Sequence, residues 1–518
     1  MNRATALAIV IALWVVIYLP ALGSTEIKGE EGRRILPAVT MIETDSWLVP
    51  FVGGEPFLRK PPLVNWAIAG MFKLTGIRNE WTARLPSALC VLLLGLTIVG
   101  TSGQGWMTVE TALVAAIMAM TQVGLLAKAK FAGAEIEGIY APLAGMAMVC
   151  WLAAWAKGVS PWRLWLVPAV FLGLGCLAKG PSLHLLFFYA VVIAVLGREG
   201  KWRALAHPAH FAGVALTAAI FAAWAIPYFR APEAKDAGKV WKRQGIDRFT
   251  SGDFNARDYV TNFPRALGDQ LPWLLLAPAC VGAWRKREGV SAWPVVVGLG
   301  VLLVPGALPR YVLPLGVPIA LMLAESVSVL DESSPILRRW WLLNRGAAIL
   351  LIACLCATPF AVSAGQHRGA ALRAALLCGP LLALCAVIVA RRGQSLRACG
   401  LAVASGALLG VASAIYALAL VPFIVRGDDV RPVAAEIDAA IPAGEPLTIY
   451  NPGYLAAIFY LRTPYRYARG TADIPPEASW VLARGKARAQ IESRRPDLRV
   501  VRTVKNSDGQ ELVLFHRQ

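Results

Sequence analysis

The chain has 518 residues, of which 57% are hydrophobic and only 16% charged, with a formal net charge of +19. A soluble domain carries about 25% charged residues, and long apolar runs recur here as far as about residue 425, which excludes a water-soluble globular protein. The cationic surplus lies largely in short loops, where Lys and Arg set topology or meet anionic headgroups. No nucleic-acid recognition module accompanies it.

A hydrocarbon core of about 30 Å needs about 20 apolar residues per helix. On that basis, helices are expected in chain order at about 4–22, 84–101, 106–126, 138–156, 162–178, 181–197 and 209–228. They continue at about 270–284, 292–308, 311–330, 346–365, 370–390 and 398–425. The first reads as a retained helix, since no small-residue cleavage site follows it. The segment 62–77, "PPLVNWAIAGMFKLTG", begins with proline, is short and contains Lys73. It fits an interfacial or re-entrant helix better than a span. With thirteen spans and a cytoplasmic N-terminus, "KGVSPWR", "REGKWR", "RKRE", "RRWWLLNR" and "RRGQSLR" all face the cytoplasm. The opposite face then receives the loops 23–83 and 230–269 and the tail 426–518.

The tail loses the long apolar runs. "DDVRPVAAEIDAAI" predicts a helix with an Asp cap. "EPLTIYN" and "ASWVLAR" predict short buried strands, and "LRVVRTVKNSDGQELVLFH" a hairpin around Asn506–Gly509. The expected architecture is an all-α polytopic membrane domain, residues 1–425, followed by a small α/β domain on the outer side, residues 426–518. The nine cysteines lie in or beside apolar runs without CxxC spacing, so neither a disulfide framework nor a zinc site is indicated. His207 and His210 follow the basic turn "REGKWR" and read as headgroup contacts.

Charged residues nevertheless gather on the face that the positive-inside pattern assigns to the exterior. Glu30, Glu31, Arg33 and Arg34 follow helix 4–22, and Arg59 and Lys60 precede Pro61 and Pro62 in the same loop. Lys128, Lys130, Glu135 and Glu137 fill the next turn on that face. Lys179, Arg248, Arg310 and Tyr311 reach it from later loops. Carboxylates this near an apolar span are expensive unless hydrated or paired, and Lys and Arg are the side chains suited to phosphate. A lipid-linked phosphate explains the surplus positive charge on that face.

The ordered motifs "EEGR" (30–33), "DSWLVP" (45–50), "RKPPLVNW" (59–66) and "TARLPSAL" (82–89), then "AKGP" (178–181), "DRFT" (247–250) and "PRYVLPL" (309–315), carry a resemblance. The chain resembles the GT-C membrane glycosyltransferases, specifically the bacterial group around the aminoarabinose-to-lipid-A transferase within the dolichyl-phosphate-mannose protein mannosyltransferase superfamily. The resemblance implies sugar transfer from a polyprenyl-phosphate donor to a lipid, glycan or protein acceptor at the periplasmic face of the bacterial inner membrane. It implies a catalytic role for Glu30, and Glu135 is a second catalytic candidate from its position at the edge of an apolar span. Donor-phosphate contacts would come from Lys60, Lys179, Arg248, Arg310 and Tyr311, with Glu31, Arg33 and Arg59 in support. It names no certain cofactor and leaves room for a divalent metal. Glu30 stands where that group usually has Asp. Arg59 stands where the aminoarabinose transferases usually have Glu, which counts against that particular sugar and against a metal held there.

The alternative from another class is a transporter or flippase of lipid-linked sugar. It predicts repeated halves and ionisable residues near the bilayer midplane, and neither shows in this sequence. A structural membrane protein with a binding tail leaves the one-sided charge unexplained.

Overall fold

In the computed structural model of the protein, the described residues are 1–27, 29–131, 133–244, 256–285, 293–304, 307–365, 368–390, 397–421, 430–453, 455–505 and 511–518. The first half comprises α1 (Arg3–Tyr18), α2 (Gly32–Thr44), the β1–β2 hairpin (Phe51–Val52, Glu55–Pro56) and α3 (Leu63–Thr75). It continues with α4 (Glu80–Gly100), α5 (Val109–Met120), α6 (Val123–Leu126, running into a π-turn to Phe131), α7 (Glu137–Ala156), α8 (Pro161–Lys179), α9 (Leu183–Glu199), α10 (Pro208–Arg230) and α11 (Ala237–Gln244). The second half has α12 (Ala256–Gly268), α13 (Pro278–Arg285), α14 (Trp293–Gly300), α15 (Gly316–Ser328), α16 (Pro335–Gly365), α17 (Arg368–Ala390) and α18 (Ala398–Ile415).

Each of the thirteen expected apolar segments is at least partly helical. Among the described residues, however, seven helices are long and apolar enough to cross a membrane, or eight counting one bent pair. The differences have local causes. Pro272 and Pro278 lie inside the expected helix 270–284, which becomes a 3₁₀ turn over Trp273–Leu276 followed by the short α13. The expected helix 106–126 bends by 54° between α5 and α6. There the amides of Val123 and Gly124 leave the helical ladder for the carbonyls of Leu271 and Asp269, both at 2.9 Å. The side-chain amide of Gln122 donates to the Gly316 carbonyl at 2.7 Å. Backbone groups freed at membrane depth are thus satisfied by neighbouring protein.

The chain alternates between two ends of the bundle. One end brings together Met1, Ser102, Glu110, Lys157 and Glu199, through the Met1 ammonium on Glu110 (3.2 Å), Arg3 on the Ser102 carbonyl (2.5 Å) and Trp155 on Glu199 (3.2 Å). The other end is capped by α2, α3 and the C-terminal unit. At 13 residues, α3 is about 20 Å long and cannot cross the bilayer. The helix expected at 62–77 is therefore present as a short capping helix, stopped by Gly76 in the left-handed region at φ 67°. The loop 23–83 also contains α2, which the sequence reading did not foresee.

The C-terminal unit has α19 (Val430–Ala440), α20 (Arg488–Arg494) and strands β3 (Leu447–Tyr450), β4 (Tyr465–Ala468), β5 (Trp480–Arg484), β6 (Leu498–Lys505) and β7 (Glu511–Arg517). The sheet order is β4-β3-β5-β7-β6; β3 runs parallel to β4 and β5, and the remaining pairs are antiparallel. The expected Asp cap and the hairpin turn at Asn506–Gly509 lie outside the described residues. This unit docks on the capped end. Arg431 and the Tyr460 hydroxyl both donate to the Glu80 carboxylate, Tyr460 at 2.8 Å, and Phe72 stacks on Phe459.

Candidate active site

The capped end is organised around a buried ion pair. Glu31, at the start of α2, accepts from Arg84 Nε and Nη2, both at 2.8 Å, and Arg84 also reaches the carbonyls of Leu22, Thr25 and Glu26. The Ala134 amide donates to the same Glu31 carboxylate at 3.2 Å. Glu31 therefore bolts α2, α4 and the 133–136 loop together. Its neighbour Glu30 points elsewhere; its side chain is 36% exposed and accepts from Arg33 Nη1 at 2.6 Å.

Two glycines seat the loop that carries the next carboxylates. A Cβ on Gly133 would lie 2.7 Å from Arg84 Cβ, and one on Gly138 would lie 2.7 Å from Ser87 Cβ and 2.8 Å from the Lys128 carbonyl. This close approach to α4 places Glu135 and Glu137 at the mouth of the bundle, where both are buried. Glu135 accepts from Lys128 Nζ at 2.9 Å, and burial raises its carboxyl above the usual range against the pull of Lys128. Lys179, the last residue of α8, approaches Glu137 at 3.2 Å and lies over the rings of Tyr140 (4.7 Å) and Tyr311 (4.9 Å). Arg310 bridges the two carboxylates, 3.8 Å from Glu135 and 3.6 Å from Glu137.

Lys60 is delivered by an aromatic clamp. The Leu58 carbonyl, two residues before it, accepts from Trp241 Nε1 at 2.8 Å and from the Tyr228 hydroxyl at 3.4 Å. Trp224 Nε1 holds the Leu48 carbonyl at 3.1 Å, and Trp66 Nε1 holds that of Trp47 at 2.9 Å. The loop is thereby tied to the C-terminal ends of α10 and α11, and Lys60 is half-buried at the capped end.

The structure thus brings Glu135, Lys179, Arg310 and Tyr311 into one cluster, sets Glu30 and Arg33 at the start of α2, and carries Lys60 to the same end. Arg59 is exposed and Arg248 lies outside the described residues. Glu31, expected as a supporting site residue, is committed to Arg84 inside the scaffold. Lys128 and Glu137 are as central as Glu135. Their sequence signal was the same charged turn, but only the fold shows which carboxylate meets which cation. Arg84 was visible merely as one letter of "TARLPSAL". Among the described residues, no three His, Cys, Asp or Glu side chains gather in a way that could hold a metal ion.

Comparison with known proteins adds lineage to this geometry. The sequence profile of the dolichyl-phosphate-mannose-protein mannosyltransferase family matches residues 59–226. The undecaprenyl phosphate-alpha-4-amino-4-deoxy-L-arabinose arabinosyl transferase of Erwinia tasmaniensis is 26% identical over 331 residues, covering 59% of this chain and 56% of that protein. The same-named enzyme of Pseudomonas aeruginosa is 26% identical over 344 residues, covering 63% and 60%. The chain therefore spans less than two thirds of these relatives' length. The crystal structure of ArnT from Cupriavidus metallidurans bound to undecaprenyl phosphate superposes with a TM-score of 0.65 at 18% identity, over 99% of this chain and 97% of that one, which establishes a shared fold. Residues 59–226 thus resemble the dolichyl-phosphate-mannose-protein mannosyltransferases, and the whole chain shares its fold with ArnT.

Proposed function

We propose that the chain is a multi-pass inner-membrane glycosyltransferase that moves a sugar from a polyprenyl-phosphate donor to a lipid, glycan or protein acceptor, with inversion at the anomeric carbon. The observation that carries this reading is the gathering of Lys128, Lys179 and Arg310 around Glu135 and Glu137 at one end of an apolar bundle. Cations held at a membrane edge suit a phosphate whose isoprenoid tail stays in lipid. The relatives named above act on an undecaprenyl-phosphate-linked sugar, and the superposed structure holds undecaprenyl phosphate. The N-terminus would be cytoplasmic, and the site and C-terminal unit periplasmic, because the opposite end carries the basic turns around Lys157 and Lys201.

In this mechanism the acceptor hydroxyl attacks the anomeric carbon and loses its proton to a carboxylate. Glu30 is better placed for that role than Glu135: it is the more accessible, whereas Glu135 is buried against Lys128. The bond between the anomeric carbon and the phosphate oxygen breaks, and its electron pair stays on the phosphate. Lys60, Lys179, Arg310, Tyr311 and Arg248 would bind that phosphate and offset the charge it gains.

The test is transfer by purified protein supplied with radiolabelled polyprenyl-phosphate sugars and a membrane extract. Glu30→Gln should lower the rate by about 10²–10⁴-fold, and Lys60→Ala should weaken donor use, both with the thermal midpoint intact. Full transfer by both variants would overturn the assignment.

A further inference from the structure

Arg34 belongs to the charged cluster, and the mechanism leaves its pairing unexplained. It sits in the first turn of α2 and is 6% exposed. Its Nη1 is enclosed and has no hydrogen-bond partner. Its backbone carbonyl accepts from Asn65 Nδ2 at 2.8 Å, and its guanidinium carbon lies 5.3 Å from the centre of the Phe57 ring, so α3 and the loop before it fix its position. Glu137, Glu30 and Glu135 all act on it electrostatically, yet among the described residues no carboxylate comes within ion-pair distance. Each of those carboxylates is already engaged: Glu30 by Arg33 (2.6 Å), Glu135 by Lys128 (2.9 Å), and Glu137 by Lys179 (3.2 Å). A buried, incompletely bonded guanidinium is expensive, so a protein that keeps one within electrostatic reach of Lys179 is holding a donor in reserve.

The reaction proposed above creates a demand for such a donor. A phosphodiester carries one negative charge, whereas a phosphate monoester carries between 1.5 and 2 at about pH 7. Breaking the bond to the sugar therefore adds about one unit of negative charge to the phosphate. Interactions stronger in the transition state than in the ground state raise kcat. We infer that Arg34 is a catalytic residue that takes up the charge gained by the leaving polyprenyl phosphate. Lys60, Lys179 and Arg310 hold the phosphate from the ground state onward, and Arg34 adds to their effect only as its charge grows. The inference rests on the polyprenyl-phosphate reading and adds to it a division of labour among the cations.

The experiment compares full-length wild type, Arg34→Met and Arg34→Lys in lipid nanodiscs. Arg34→Met should lose roughly a hundredfold in kcat while the KM for the sugar donor changes less than about threefold. Affinity for undecaprenyl phosphate itself should fall about tenfold or more, and Arg34→Lys should recover part of both losses. Without ligand, the thermal midpoint of Arg34→Met should stay level or rise, because an unsatisfied buried charge has been removed. A lower midpoint with an unchanged ratio of kcat to wild type would show a structural role and end the proposal. Inorganic phosphate and phosphatidylglycerol vesicles serve as competing anions; equal loss of all three in Arg34→Met would mark a general anion site and also end it. If wild type transfers no sugar from any donor, the functional reading fails. If wild type transfers normally and Arg34→Met does too, only the role of Arg34 fails.

Discussion

Glu30 and Glu31 are adjacent and chemically identical, yet the fold gives them opposite tasks. Glu31 is enclosed by two guanidinium nitrogens and an amide, a charge-assisted arrangement that ties its carboxylate to the scaffold. Glu30 keeps solvent access and a single cation. Glu135 has a third environment, where burial raises its carboxyl although Lys128 opposes the shift. Its protonation therefore begins at a higher pH than that of an ordinary glutamate. Once neutral it no longer holds Lys128 and Arg310. The acid limb of the transfer rate should accordingly lie above the usual carboxylate range and be lost as pH falls. Glu135→Gln, which imitates the protonated form, should be slow throughout and lack that limb. A pH–rate profile of the two proteins decides this, and an unshifted limb in the variant would detach Glu135 from it.

At the scale of elements, the features that matter are those that break regular structure. The bend between α5 and α6 turns Lys128 toward Glu135, while Lys130, two residues on, is buried on the Ile17 carbonyl and Ser413 Oγ and ties the same π-turn to α1 and α18. The loop before α3 depends on aromatic N–H donors in α10 and α11. Trp241→Phe removes the 2.8 Å bond to the Leu58 carbonyl, costing about 1 kcal/mol. The expected outcome is a raised KM for the donor, through Lys60, with little change in thermal midpoint. Unchanged donor kinetics would show that the clamp does not position Lys60. The prolines of "RKPP" and the short α3 were legible because composition and length suffice to exclude a span. The 54° bend was not legible, since it arises from carbonyls at residues 269 and 271, which no local window contains.

For the whole molecule, the capped end is where the membrane bundle and the C-terminal unit join. Glu80, the first residue of α4, accepts from both Arg431 and Tyr460, and Glu26 accepts from the amides of Val430 and Arg431 at 3.0 Å each. The Arg431 side chain is 40% exposed, so neutralising its carboxylate partner costs only about 1 kcal/mol. Glu80→Gln should loosen the joint, speeding proteolytic release of the C-terminal unit several-fold while the bundle stays folded. An unchanged cleavage rate would mean that Phe72 on Phe459 and the remaining apolar contacts hold the unit alone.

Composition and hydropathy alone determined that the chain lives in a bilayer, where its long apolar segments fall and which loops carry charge, because transfer free energies add residue by residue along the chain. Strands β3, β5, β6 and β7 of the C-terminal unit were readable from short apolar runs bounded by turn residues, whereas β4 (Tyr465–Ala468) was not foreseen. Only the tertiary structure decided which carboxylate is scaffold and which is free, which cation is paired and which is held in reserve, and which apolar segments are long enough to span. Those choices depend on distances between residues tens to hundreds of positions apart, and Coulomb and hydrogen-bond energies depend on separation in space rather than along the sequence.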